Sequence, residues 1–281
     1  MCAALALVAF AANSVLCRLA LGQSDIDAAS FSTIRLGSGA AALLLARLWL
    51  RRRLFPVEGT WTSAMMLSLY AVPFSFAYVS LSAGTGALIL FGSVQATMLL
   101  AAIGAGERPH AMQWIGLTLA LAGLIYLVLP GLAAPSPVGS ALMTIAGISW
   151  GVYSVRGRGT NGPLLETTGN FVRSVPLALA VSLIFLRQGH ITPAGALLAV
   201  ASGALASGAG YVFWYAALTG LSATRAAMVQ LPVPVLAAAG GVVFLAETVT
   251  LRLIGATILI LGGVGLALAG RERVDARPSI G

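Results

Sequence analysis

Charged residues are scarce in this sequence. Only 9% of its 281 residues are charged while 59% are hydrophobic, and the mean hydropathy is +0.96. A chain with so little polar surface cannot coat a water-soluble globule. Apolar runs of about 20 residues, each long enough to cross a hydrocarbon core as a helix, follow one another along nearly the whole length. We therefore predict an all-α polytopic membrane protein.

Lysine is absent, so all sixteen basic residues are arginine. Nucleic-acid binding needs basic residues clustered on a folded, water-exposed face, whereas these arginines stand at the ends of apolar runs. That position is typical of topology signals, because short cytoplasmic loops are enriched in arginine. We therefore expect no nucleic-acid partner.

Cysteine and histidine are rare, with two of each. If Cys2 and Cys17 lie on one helix, they are about 22 Å apart, far beyond the reach of a disulfide bond. His110 and His190 fall in separate loops, and no metal-ligand cluster or Ser, His, Asp arrangement accompanies them. We expect no metal, no cofactor and no enzyme activity.

Glycines, prolines and charged clusters divide the chain into ten predicted spans joined by short connections. The arginine bias of the connections predicts that both termini are cytoplasmic. No basic stretch precedes the first run and no cleavage site follows it, so we interpret it as a span rather than a signal peptide. The predicted spans are residues 2–21, 29–50, 62–82, 86–104, 112–130, 138–156, 165–186, 194–219, 223–245 and 251–270.

The two halves of the sequence repeat one pattern. Arg18 and Arg158 are 140 positions apart, as are Glu107 and Glu247. Around the two glutamates, "GERPHAMQWIGLTLALAGLIYLVL" parallels "AETVTLRLIGATILILGGVGLAL" with a one-residue gap. Each half holds five spans, an odd number, so the second half enters the membrane in the opposite orientation. Two such copies around a central cavity can alternate between inward-open and outward-open states, which is a transporter arrangement.

This duplication predicts the domain organisation. We expect a first five-helix repeat in residues 1–135, a second, inverted repeat in residues 136–270, and a cytoplasmic tail in residues 271–281.

Four stretches of the sequence also carry a family resemblance. They are "SWGVYSVRGRG", the arginine-bearing spans "STIRLGSGAAALLLARL" and "NFVRSVPLALAV", and "PVPVLAAAGGVVFLAETVTLRLIGATILILGGVGLAL". Together they resemble the EamA-type drug/metabolite transporter superfamily over essentially the whole chain. The resemblance implies two inverted repeats, a central cavity and movement of small metabolites, often amino acids outward, across a bacterial inner membrane.

Polar side chains at mid-membrane depth are costly, so they should face a cavity or a partner helix. Asn13 and Ser14 in the first span, Gln95 in the fourth and Gln230 in the ninth are such residues. They either hydrogen-bond a polar or zwitterionic substrate or join neighbouring helices.

Aromatic residues form a second set of candidates. Tyr78, Trp150, Tyr153 and Trp214 lie well inside their predicted spans, where a role at the membrane surface fits poorly. An apolar pocket with few polar groups suits aromatic or hydrophobic solutes. We therefore predict a substrate cavity between spans one, three, four, six, eight and nine.

Three prolines interrupt the predicted helices near this cavity, Pro73 in the third span and Pro232 and Pro234 in the ninth. A proline frees backbone carbonyls, which a neighbour, water or ligand must then satisfy. Discontinuous helices often mark transporter sites, although a kink that improves packing explains these prolines equally well.

Arg35 in the second predicted span and Arg173 in the seventh stand farther from the span ends than most of the other arginines. Each lies about two turns from a helix end, close enough for its side chain to reach the membrane surface. Either could attract a carboxylate, but we favour gate or loop ties, because the repeat places the two near opposite faces. Glu107 and Glu247 should likewise tie loops to arginines or backbone amides.

These features predict a secondary transporter that moves small metabolites by alternating access, in export or facilitated exchange. Amino acids, aromatic or hydrophobic ones first, are the favoured substrates. The expected partners are the substrate and the lipid bilayer, and the expected state is a monomer. The alternative is an integral-membrane scaffold or enzyme without transport activity.

Energy coupling is constrained by the scarcity of acidic residues. There are eight, and none falls near the middle of a predicted span. A proton relay usually needs a buried titratable group at that depth. We therefore expect uptake into proteoliposomes to be insensitive to a pH gradient. Uptake that depends strictly on a proton gradient would refute this expectation. The eight residues are Asp25, Asp27, Glu58, Glu107, Glu166, Glu247, Glu272 and Asp275.

Overall fold

Ten helical rods joined by short connections make up nearly all of the described structure. The computed structural model describes residues 1–23, 25–51, 58–104, 111–131, 134–157, 162–218 and 229–275. The first seven helices are α1 Cys2–Gly22, α2 Ala28–Arg51, α3 Trp61–Tyr78, α4 Ala83–Gly104, α5 Ala111–Val128, α6 Pro137–Arg156 and α7 Pro163–Ile184.

The eighth rod, α8, has three consecutive parts. They are an α-helix Pro193–Ala201, a π-helix Ser202–Ala209 and an α-helix Gly210–Leu218. The last two helices are α9 Val233–Leu245 and α10 Leu251–Asp275, and a short 3₁₀ turn, Leu186–Gln188, follows α7.

Seven of these rods are long and apolar enough to cross a membrane, and α9 and most of α10 are shorter apolar helices. Large apolar side chains cover the outside of the bundle, including the exposed Ile184, Val243, Phe244 and Leu251. A surface of this kind suits contact with lipid. The predicted all-helical polytopic fold is confirmed.

Local sequence signals start several of the helices. Ser136 stands before α6 and Thr192 before α8, and the side-chain oxygen of each accepts a backbone N–H three residues later, at 3.2 and 3.0 Å. A proline follows each of them at the start of the helix. The cap satisfies one free N–H of the first turn, and proline needs no N–H there.

Helices of the first half pack mainly against helices of the second half. α5 packs against α10, α2 against α7, and α4 against α9. Moreover, α1 packs against α8 and α9, just as α6 packs against α3 and α4. Every one of these contacts is reproduced when α1 to α5 are exchanged with α6 to α10, as a pseudo-two-fold axis requires.

Corresponding helices also run in opposite directions. The C-terminal ends of α1, α3 and α9 meet where Arg18 contacts the Tyr78 carbonyl and Glu247, at what we name the Arg18 end. The C-terminal end of α6 lies at the opposite end, the Arg156 end, where Arg156 donates to Ser63 near the start of α3. α1 and α6 are therefore antiparallel, in agreement with inverted repeats.

Glycines let α5 and α10 approach closely. A Cβ added at Gly263 would lie 2.5 Å from the Gly116 carbonyl oxygen and 2.6 Å from the Ala120 nitrogen. The backbone itself forms this contact, so no side chain can move aside. The neighbouring Gly262 has no such neighbour within 4 Å.

Gly263→Ala should therefore destabilise the protein by about 1–3 kcal/mol, because it overpacks a backbone contact. Gly262→Ala on the same helix is the matched control and should be neutral or stabilising, since alanine favours helix over glycine. Melting in detergent measures both variants. Equal melting temperatures would show that this contact does not limit stability.

Candidate functional site

A cavity of about 30 Å³ lies at the centre of the bundle, lined by α1, α3, α4, α6, α8 and the segment leading into α9. These are the helices between which the sequence predicted it. One water needs about 10–15 Å³ by this measure, so the cavity in this conformation has room for about two waters and none for an amino acid. Its aromatic wall is formed by Phe10, Tyr70, Phe74, Phe91, Trp150 and Tyr211.

Four of the eight predicted substrate-binding residues line this cavity. They are Asn13, Ser14, Trp150 and Gln230. Asn13 and Ser14 are buried within α1, which sets two polar groups side by side on the wall.

Tyr153 and Trp214 lie one layer behind the wall. The Tyr153 ring stacks on Trp150 with centroids 5.5 Å apart, and the Tyr153 hydroxyl accepts a hydrogen bond from Asn170. Trp214 packs edge-on against Phe10 with centroids 5.9 Å apart. Both residues therefore support wall residues and do not themselves line the cavity.

Tyr78 and Gln95 also lie off the central cavity. Tyr78 is fully buried, and its hydroxyl donates to the Ala83 carbonyl oxygen at 3.3 Å. Gln95 lines a second pocket of about 10 Å³, which shares Phe91 and Gln230 with the central cavity. In this conformation neither residue is placed to touch a solute in the central cavity.

The prolines interrupt the helices less than the sequence suggested. α3 continues through Pro73. Pro232 is the residue before α9 and Pro234 lies in its first turn, so both prolines start the described helix. Residues 223–228 of the predicted ninth span lie outside the described residues. The irregular helix beside the cavity is instead the π-helix of α8, which sequence reasoning missed.

A chain of hydrogen bonds connects α1, α2, α3 and α8 beside the cavity. Ser202 donates to Asn13 Oδ1 at 2.6 Å, and Asn13 Nδ2 donates to the Tyr70 hydroxyl at 3.4 Å. Arg35 Nη2 donates to the same hydroxyl at 2.8 Å, and Arg35 Nε reaches Ser207 Oγ at 3.5 Å. We name these five residues the Arg35 network.

Arg35 departs from expectation, because its side chain does not reach the surface. It is 2% exposed, and its Cζ lies 4.6 Å from the centroid of the Phe74 ring. α2 and the π-helix approach each other closely at this point, where a side chain at Gly203 would collide with the Arg35 carbonyl and with Ser38. The guanidinium lies inside the bundle, where it contacts Tyr70 and Ser207.

Arg173, by contrast, ties a loop as expected. Its Nη1 donates to the Glu58 carbonyl oxygen at 2.7 Å, ahead of α3. The two arginines that correspond in the repeat therefore have different partners.

Glu247 also ties helix ends as predicted, whereas Glu107 lies outside the described residues. Glu247 accepts from Arg18 Nε at 3.2 Å and from the Ala83 N–H at 2.8 Å. Arg18 Nη1 further donates to the Tyr78 and Val79 carbonyls, each at 3.0 Å. These contacts, which we name the Arg18–Glu247 latch, hold α1, α3, α4 and α9 together at the Arg18 end.

Asp27 joins two loops at the same end of the bundle. Its carboxylate accepts the backbone N–H groups of Ala29, Ser30 and His190 at 2.9–3.1 Å. Burial by itself raises the pKa of this carboxyl, but the N–H donors outweigh burial and hold the pKa below its ordinary value. The carboxylate therefore stays charged at neutral pH and keeps its donors.

The pattern of the EamA-like transporter family matches this sequence twice, over residues 1–129 and 137–269. The chain belongs to the EamA-like transporter family. This EamA-like chain is 49% identical over 273 residues to an uncharacterized protein of Pseudomonas aeruginosa, covering 97% of this chain and 95% of that protein. It is 28% identical to the threonine/homoserine exporter RhtA of Salmonella typhimurium, over 73% of this chain and 66% of that protein.

The fold is shared with a solved protein as well. A crystal structure matches with a TM-score of 0.67 at 21% sequence identity, covering 96% of this chain and 99% of that one. Family membership and the apolar helices together make this EamA-like protein a multi-pass membrane transporter.

The Arg18–Glu247 latch leads to a prediction about cavity access. Glu247→Gln removes the charge that holds Arg18, so it should loosen the Arg18 end and expose the cavity more often. Ser14→Cys, in a chain whose Cys2 and Cys17 are replaced by alanine, provides a reporter on the cavity wall. We expect its labelling by a maleimide in detergent to be faster with Glu247→Gln.

Arg252→Gln is the matched control for this experiment. Arg252 donates to the Leu129 carbonyl at the same end, but it joins α5 and α10, which lie away from the cavity. Equal acceleration of labelling by both variants would show general loosening of the bundle and contradict a latch.

Proposed function

We propose that this transporter carries small metabolites, amino acids foremost and aromatic or hydrophobic ones first among them, across a bacterial inner membrane by alternating access, in export or facilitated exchange. The observation that carries the proposal is the central cavity itself. Both halves of the chain contribute to its wall, Phe10 and Tyr70 from the first half and Trp150 and Tyr211 from the second. A movement of one half against the other therefore changes the cavity directly.

The composition of the wall supports an aromatic or hydrophobic solute. The Trp150 ring lies 4.8 Å from the Tyr70 ring and 5.3 Å from the Tyr211 ring, measured between centroids. Tyr153 stacks on Trp150 from behind. Edge-on and tilted aromatic surfaces of this kind attract a further aromatic or apolar group.

Transport requires a conformational change, because the cavity is smaller than an amino acid in this conformation. The Arg18–Glu247 latch holds one end of the bundle, and the bonds of Arg156 and Arg173 hold the other. Opening toward either side must break the contacts of that side. Ties at both ends suit a carrier that alternates between two open states.

The amino acid class gains support from the relative RhtA, named a threonine/homoserine exporter. We propose direct substrate contact for Asn13, Ser14, Trp150 and Gln230. Tyr78, Gln95, Tyr153 and Trp214 would act from behind the wall. We further propose a monomer with both termini in the cytoplasm, built from repeats 1–135 and 136–270 with the tail 271–281.

Counterflow in proteoliposomes tests the function. Vesicles loaded with unlabelled phenylalanine, leucine or threonine should take up the labelled form of the same amino acid, with phenylalanine and leucine ahead of threonine. A scaffold or an enzyme without transport activity gives no counterflow with any of them. That result would overturn the proposal.

Trp150→Ala tests the role of the aromatic wall. We expect the half-saturation concentration for phenylalanine to rise about five-fold, because one aromatic pair contributes about 0.5–1.5 kcal/mol. Trp114→Ala, on the outside of α5 where the ring is 48% exposed, is the control and should transport normally. If transport and folded yield fall together in Trp150→Ala, this ring only holds helices together.

A further inference from the structure

The Tyr70 hydroxyl has a hydrogen that no described group accepts. Tyr70 lines the cavity, and its oxygen accepts from Arg35 Nη2 at 2.8 Å and from Asn13 Nδ2 at 3.4 Å. A phenol has two lone pairs and one hydrogen. Both lone pairs are occupied, so the hydroxyl can act toward the cavity only as a donor.

Arg35 places an uncompensated positive charge directly behind this donor. Arg18 pairs with Glu247, whereas no ion pair joins Arg35 to a carboxylate among the described residues. Its Nη1 is buried and has no hydrogen-bond partner in the described structure. Such a charge inside a membrane bundle is costly unless something anionic balances it.

The aromatic rings balance the charge only in part. The Arg35 Cζ lies 4.6 Å from the Phe74 centroid and 5.2 Å from the Tyr70 centroid. A ring face attracts a cation through its quadrupole and carries no net charge. A carboxylate bound at the Tyr70 hydroxyl would supply both the missing negative charge and an acceptor for the Tyr70 hydrogen.

On the basis of the transport function proposed above, we infer that Arg35 and Tyr70 form an anion-binding end of the cavity and that the transported solute presents a carboxylate to it. One carboxylate oxygen accepts the Tyr70 hydrogen, and Arg35 contributes the positive charge. The apolar part of the solute then lies against Trp150 and Tyr211. No carboxylate stands among the described residues that line the cavity, so on this inference the solute needs no ammonium group.

Three ligands of similar shape test whether binding requires the carboxylate or the ammonium group. Phenylalanine has both charged groups, 3-phenylpropionate lacks the ammonium group, and phenethylamine lacks the carboxylate. We expect the wild type, titrated in detergent, to bind the two carboxylates at least about ten-fold more tightly than the amine, as a charge-assisted hydrogen bond implies.

Variants then assign the preference to named groups. Tyr70→Phe keeps the ring and removes the donor, so it should weaken binding of both carboxylates about ten-fold and leave phenethylamine unchanged. Arg35→Gln should abolish the preference. Arg173→Gln is the matched control, because Arg173 corresponds to Arg35 in the second half but donates to the Glu58 carbonyl. This variant should keep the wild-type preference for the two carboxylates.

The inference and the proposed function would be overturned by different results. If phenethylamine binds and exchanges as well as phenylalanine, transport stands and the carboxylate site is wrong. If Tyr70→Phe weakens all three ligands equally, Tyr70 is merely part of the wall and the inference is again wrong. If no amino acid and none of these ligands binds or exchanges, the proposed function fails and the inference with it. Should Arg35→Gln not fold, Tyr70→Phe decides, because it removes a single oxygen.

Discussion

Hydrocarbon offers no hydrogen-bond partner, so every polar group inside this bundle must be satisfied by the protein, by enclosed water or by the solute. The backbone meets that demand as helices, and short side chains such as Ser32, Ser68 and Ser75 meet it by donating to the carbonyl one turn back. Arg18 and Glu247 satisfy each other and three backbone groups at a helix end. Arg35 is a charged group for which this demand is only partly met, and it lies beside the cavity.

The two repeats form the helical bundle, and the candidate site lies where corresponding residues of the repeats differ. Arg35 and Arg173 occupy corresponding places in the two halves, yet one is turned inward among Tyr70, Phe74 and Ser207 while the other binds a loop carbonyl. Glycine at position 203 allows α8 to approach the backbone of α2 closely at Arg35. The repeat therefore supplies two opposed halves, and the Arg35 network takes Asn13, Arg35 and Tyr70 from the first copy and Ser202 and Ser207 from the second.

The helices α1 and α8 connect the cavity wall to the parts of the bundle that would shift if it opened. α1 carries Asn13 and Ser14 on the cavity wall and, about one turn beyond, Arg18 in the latch. α8 carries Ser207 and Tyr211 on the wall, within and just after its π-helix. A π-helix is a common feature of functional sites, where one widened turn re-aims side chains. A shift of α1 or α8 that opens the bundle thus also changes the contacts of the Arg35 network.

Sequence alone determined the helices and the opposed halves, because apolar run length, arginine bias and a repeated offset are properties of the chain read in order. It also singled out Asn13, Ser14, Trp150 and Gln230, since polar and aromatic groups at mid-span are conspicuous. Which face of each helix meets the cavity was decided only by tertiary packing. Lipid is as apolar as the protein core, so nothing in the pattern distinguishes the buried side of Tyr78 or Trp214 from the cavity side of Tyr70. The inward direction of the Arg35 side chain is seen in its contacts with Tyr70 and Ser207, which are distant in the sequence, so no local signal could have revealed it.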